Sequence, residues 1–163
     1  MRLLHDVLTT VVRPGLLMLP LKMRSPEAEA LLLTIGLQES RFLHRKQIAG
    51  PARGFYQFES GGGLRGVMRH DASKDHAHRI LDELCVPYND AFDALVYNDA
   101  LATSFARLLL YTDPRRLPTL GSMSDFSWQY YIRTWRPGRP HRETWDSFRA
   151  NSVDAVRATL VGG

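Results

Sequence analysis

Apolar positions fall into helical blocks along most of this chain, with one stretch in the first half where the period is lost. From Leu3 to Leu19 the apolar residues keep to one side, and Arg13-Pro14-Gly15 predicts an interruption within that helix. Ser25 is a suitable N-cap, Pro26 fits the first helical position, and Glu27 and Glu29 bring negative charge to the first turn. Ala28 to Leu37 is then almost continuously apolar, the pattern of a helix buried on all sides, and it runs out at Gln38-Glu39-Ser40. Between Phe42 and Gly66 glycines and Pro51 punctuate a short alternation at Phe55-Tyr56-Gln57-Phe58, which predicts loops with a small hairpin. Helical pattern returns at Ser73 to Leu84, Ala91 to Thr112 behind a candidate Asn89 cap, Ser124 to Trp135, and Glu143 to Leu160. The expected class is mainly α: a central buried helix, a small β-hairpin or loop lobe, and several surrounding helices. No repeat or long linker divides residues 1–163, so one domain is expected.

Composition narrows this further. With 163 residues, 44% hydrophobic and 23% charged, the chain can bury a sizeable core and does not read as disordered. A single cysteine excludes a disulfide framework; Cys85, in an apolar neighbourhood, reads as a small buried hydrophobe. No apolar run reaches the roughly 20 residues of a membrane span, and His5, Asp6, Arg13 and Pro14 break up the first segment where a signal peptide would stay apolar. Of 21 basic side chains only Lys22, Lys46 and Lys74 are lysine, and the arginines are scattered without a block. A nucleic-acid partner is therefore not expected, although the net charge of +4 favours encounter with an anionic polymer. His70-Asp71, His76 and His78 do not converge from one helix face as a metal site requires, and Gly61-Gly62-Gly63 lacks the lysine of a phosphate-binding loop. No metal and no cofactor are expected.

Glu39 is the most informative side chain. It closes a strongly apolar helix just before a glycine-rich region. Burial raises a carboxyl pKa, and the negative end of the helix dipole pushes the same way. An acid that still holds its proton near neutral pH is what cleavage of a glycosidic bond needs, because the leaving oxygen must be protonated as the bond breaks.

Gln38-Glu39-Ser40, followed by Pro51-Ala52-Arg53-Gly54-Phe55-Tyr56-Gln57-Phe58, resembles the lytic transglycosylase and goose-type lysozyme group of the lysozyme-like superfamily. There a Glu-Ser pair at a helix end precedes a Gly-Ala-x-Gly-Leu-(Met/Trp)-Gln segment. The resemblance implies Glu39 as catalytic acid, Ser40 as the serine beside it, Gly54 as the turn glycine and Gln57 as a residue lining the sugar cleft. It departs from the pattern at Pro51, where glycine is usual, and at Glu59, where an apolar pair is common. The group's third motif, Ala-Tyr-Asn-Ala-Gly, has two candidate counterparts: Tyr97-Asn98-Asp99-Ala100, and Trp128-Gln129-Tyr130-Tyr131 leading into Trp135-Arg136-Pro137-Gly138. The second is preferred, with Tyr131 facing Glu39 and Tyr130 the next choice. Phe55, Tyr56, Trp135 and Trp145 are further aromatic candidates for stacking on sugar rings.

The resemblance implies cleavage of the bond between N-acetylmuramic acid and N-acetylglucosamine in bacterial peptidoglycan. In the transglycosylase scheme Glu39 acts alone as acid and then base. Two different schemes stay open: a hydrolytic muramidase or chitinase-like enzyme with Glu59 as second carboxylate, and a non-catalytic virion or glycan-binding protein. The expected setting is a phage or prophage protein, monomeric, made in the cytoplasm without a signal peptide. It would reach the wall after holin-dependent release or in a virion, with the glycan strand as partner and no membrane insertion.

Overall fold

The computed structural model describes residues 2–161, and among them helix dominates. Nine α-helices follow in order: α1 (Arg2–Val7), α2 (Arg13–Leu17), α3 (Pro26–Ser40), α4 (Arg65–Arg69), α5 (Lys74–Glu83), α6 (Ala91–Ala94), α7 (Asp99–Tyr111), α8 (Ser124–Trp135) and α9 (Arg142–Val161). None is long and apolar enough to cross a membrane.

α3 forms as its residues dictate. The Ser25 hydroxyl accepts the Ala28 amide at 3.2 Å, Pro26 opens the first turn, and Glu29 receives Arg13 Nε at 2.8 Å. From Ala30 to Gly36 every residue is buried, and α3 packs most extensively against α9, with α7 and the N-terminal helices closing other sides. Burying such side chains contributes roughly 1.5–3 kcal/mol for each large aliphatic one.

The break expected at Arg13-Pro14-Gly15 does not occur. A π-turn, Leu8–Val12, widens the helix just before it, and the Arg13 amide reaches back five residues to the Leu8 carbonyl. The wider turn accommodates the proline ring, which would clash with the carbonyl four residues back in a regular helix. Gly15 then lets α2 cross α7 closely: a Cβ there would lie 2.4 Å from Thr103 Cβ.

The helix expected from Ala91 to Thr112 is divided. Asn89 caps nothing; a short 3₁₀ turn leads into α6, the chain turns over Leu95–Tyr97, and Asn98 Oδ1 accepts the Leu101 amide at 3.0 Å to start α7. The break has a partner, because the Leu95 carbonyl sits against Gly54, whose φ is +73° and whose added Cβ would lie 2.5 Å from that oxygen.

The hairpin is likewise reduced. Among the described residues there is no β-strand, only isolated antiparallel bridges between Lys46 and Arg53 and between Arg53 and Phe58. Arg53 and Phe58 exchange two backbone hydrogen bonds of 2.9 Å, closing a four-residue loop around Gly54–Gln57. Cys85 is exposed and left-handed at φ 53°, not buried, because the helix α5 has ended and Val86 returns its amide to Leu81.

Candidate active site

α3 delivers Glu39 in its last turn, and the chain beyond it is bent sharply. Arg41 and Phe42 both take left-handed backbone angles, φ 58° and 55°, which cost energy for non-glycine residues. Three contacts hold the bend. Ser40 Oγ donates to the Gly36 carbonyl at 3.2 Å and accepts the Phe42 amide at 3.1 Å. The Phe42 ring folds back over Gly36, where a Cβ would lie 2.0 Å from the ring. The Arg41 guanidinium lies 4.1 Å from the Phe148 ring of α9. Gln38, the residue before Glu39, ties the same turn to the start of α9 by donating to the His141 carbonyl and accepting from Thr144 Oγ1, each at 2.9 Å.

From α8 the Tyr131 hydroxyl donates to Glu39 Oε1 at 2.6 Å. Tyr131 is itself buried and stacked on Trp145, with centroids 4.7 Å apart, and it also packs against Trp128 and Trp135. Burial raises the Glu39 carboxyl from 4.5 to about 7; the Tyr131 hydrogen bond opposes this and the Glu59 charge adds to it. Burial and the neighbouring carboxylate push the Tyr131 hydroxyl up, so it stays a donor throughout the physiological range. With Oε1 engaged by that donor, the proton of the neutral acid falls to Oε2.

Both side chains line an open cleft of about 1760 Å³. Gln57, Phe58, Glu59, the glycines 61–63 and Trp135 line it as well. Gln57 Nε2 donates to the Gly54 carbonyl at 2.8 Å, which fixes the amide at the cleft wall and leaves its own oxygen free. Glu59 is exposed on the same cleft. Trp135 Nε1 donates to the Tyr56 carbonyl at 3.0 Å, joining the end of α8 to the Gly54–Gln57 loop.

The remaining predicted side chains stand behind this surface. Ser40 and Gly54 shape backbone and do not line the cleft. Phe55 and Tyr56 are core residues: Phe55 packs against Phe42 and lies under the Arg45 guanidinium, and the Tyr56 hydroxyl pairs with Thr103 Oγ1 at 3.2 Å. Tyr130 faces away from Glu39 and donates to the Leu110 carbonyl at 3.0 Å and to that of Arg115 at 3.2 Å. Trp145 is fully buried behind Tyr131, its indole donating to Ser127 Oγ at 2.9 Å. Tyr97, from the other candidate motif, is exposed and outside the cleft.

Sequence reasoning missed the basic lining. Arg65 and Arg69 of α4 and Arg136 and Arg139 beyond α8 all border the cleft. The spacing of Arg65 and Arg69, four residues apart, was the available signal, since it places both on one helix face. Arg133 also lines the cleft, with its Nε 3.0 Å from Asp113 Oδ2.

Compared with known proteins, the chain matches no family model, no curated sequence and no solved structure.

Proposed function

We propose that this protein cleaves the glycan strand of bacterial peptidoglycan by the lytic transglycosylase route, as a member of the lysozyme-like group. The observation that carries the reading is the Tyr131–Glu39 pair: a carboxyl raised to about 7 by burial, oriented by a phenol, in the wall of an open cleft of about 1760 Å³. The motif resemblance across Gln38–Phe58 supplies the substrate class.

The chemistry follows from the acid's two states. Neutral Glu39 gives its Oε2 proton to the oxygen bridging N-acetylmuramic acid and N-acetylglucosamine. The bond from that oxygen to the muramic C1 breaks and leaves positive charge on the sugar. The carboxylate so formed then removes the proton from the muramic acid's own 6-hydroxyl, whose oxygen closes on C1 to give an anhydro ring. Glu39 is protonated again at the end, and no water is consumed. A general acid tuned near ambient pH suits this alternation, because one group must both give and accept a proton. Tyr131 keeps the carboxyl oriented through both steps, and the Gln57 amide is placed to contact the sugar.

Hydrolysis is the second reading, and the presence of Glu59 in the lining of the same cleft as Glu39 is the observation that favours it. In that scheme Glu59 would hold a water against C1. Mass spectrometry of digested cell wall tests both: anhydro-muropeptides are expected, reducing ends would transfer the reading to hydrolysis, and no soluble product at all would overturn it.

A further inference from the structure

The cleft carries more positive charge than glycosidic chemistry needs. Arg65 and Arg69 project from α4 and Arg136 and Arg139 from the turn after α8, so two separate segments bring guanidinium groups to one groove. All four are exposed, and none has a carboxylate within salt-bridge distance among the described residues. Elsewhere several surface arginines are neutralised: Arg13 by Glu29, Arg45 by Asp99, Arg79 by Glu83, Arg142 by Asp125 and Asp146. Within the cleft Asp113 already serves Arg133, which leaves Glu59 and Glu39 as the other carboxylates of the lining among the described residues.

We infer that these four arginines select a glycan that bears carboxylates, and that the cleft discriminates against neutral polymers of N-acetylglucosamine. A guanidinium matches a carboxylate with two parallel hydrogen bonds, and an uncharged acetamido sugar offers it no such partner. The inference rests on the proposed glycan substrate. On peptidoglycan the carboxylates could come from the lactyl group of muramic acid or from the stem peptide attached to it.

The test separates these sources, and it separates failure of this inference from failure of the enzymatic reading. Glu39→Gln, which should bind without cutting, is titrated with three polymers: strands with stem peptides, strands stripped of peptides by an amidase, and chitin oligomers. Both acidic strands should bind more tightly than chitin, with an advantage that shrinks at high salt. A larger advantage for the peptide-bearing strands would assign the stem peptide, and an equal one the lactyl group. Arg65→Gln with Arg69→Gln, or Arg136→Gln with Arg139→Gln, should each weaken binding of acidic strands roughly threefold to tenfold, as expected for two exposed ion pairs, and leave chitin unchanged. Circular dichroism identifies any variant that has not folded, and the other arginine pair then decides. Equal binding of chitin and acidic strands, or tighter binding of duplex DNA than of either, would overturn the inference. If carboxylate selectivity appears while the unmutated protein releases no product, the inference stands and the enzymatic reading falls.

Discussion

At its first turn α3 follows the rules of helix electrostatics: a serine cap, a proline at the first position, two glutamates at the positive end, and Arg13 paired with one of them. At its last turn the same helix breaks them. A glutamate sits at the negative end, half-buried in the cleft wall with its pKa raised to about 7, and two left-handed residues without glycine's freedom follow it. One end is arranged for stability; the other spends some of that stability to keep an acid protonated in a groove. The difference separates residues that make the helix from residues that use it, and each end can be broken without the other.

The largest expected effect is Glu39→Gln. Under the proposed mechanism, loss of this acid lowers glycan cleavage by roughly 10²–10⁴-fold. The same change should stabilise the fold above neutrality. The Glu39 pKa is raised in the folded state, so its ionisation favours unfolding: the penalty is absent below 4.5, grows as pH rises, and is complete above about 7. Thermal or urea unfolding at pH 8 should show the glutamine variant more stable by about 3 kcal/mol, an advantage that vanishes at pH 4. A variant less stable at pH 8 would show that the last turn is not strained by this charge.

Tyr131→Phe comes next. The lost hydroxyl leaves the carboxyl unoriented, and about a tenfold fall in kcat is expected. That hydrogen bond lowers the Glu39 pKa, so its removal should move the alkaline limb of the pH–rate profile upward. Ser25→Ala, at the opposite end, should cost about 1 kcal/mol in urea unfolding and leave kcat of the folded protein unchanged. Glu59→Gln removes a negative neighbour and should shift the alkaline limb the other way, downward. A collapse of activity in that variant would mark Glu59 as a second catalytic carboxylate.

Much of this division is written locally. Ser25, Pro26 and the apolar run after them are contiguous signals, and the start of α3 is where they place it. Glu39, Gln57 and Glu59 lie close together in sequence and reach one cleft. Tyr131 and Tyr130 are another matter, because adjacent helix residues differ by about 100° in direction and both sit among apolar neighbours. Only the packing of α8 shows that one faces Glu39 and the other the end of α7. Aromatic character misleads in the same way at Phe55, Tyr56 and Trp145, which fill the core behind the groove, since letters do not distinguish a ring that stacks on sugar from one that stacks on another ring. The split between α6 and α7 was hidden because the Leu95 carbonyl at the break packs against Gly54, a contact between distant segments. The basic lining was missed because guanidinium groups dispersed along the chain are gathered only by folding.

The chain has three tryptophans, Trp128, Trp135 and Trp145, and all of them pack around the one tyrosine that touches Glu39. Its indole fluorescence therefore arises entirely from the neighbourhood of the acid. Loss of the proton from Glu39 places a negative charge at the hydroxyl end of the tyrosine those indoles surround, so the colour or brightness of that emission can be followed as pH is varied, with no dye and no substrate. The protein carries its own optical readout of the state of Glu39.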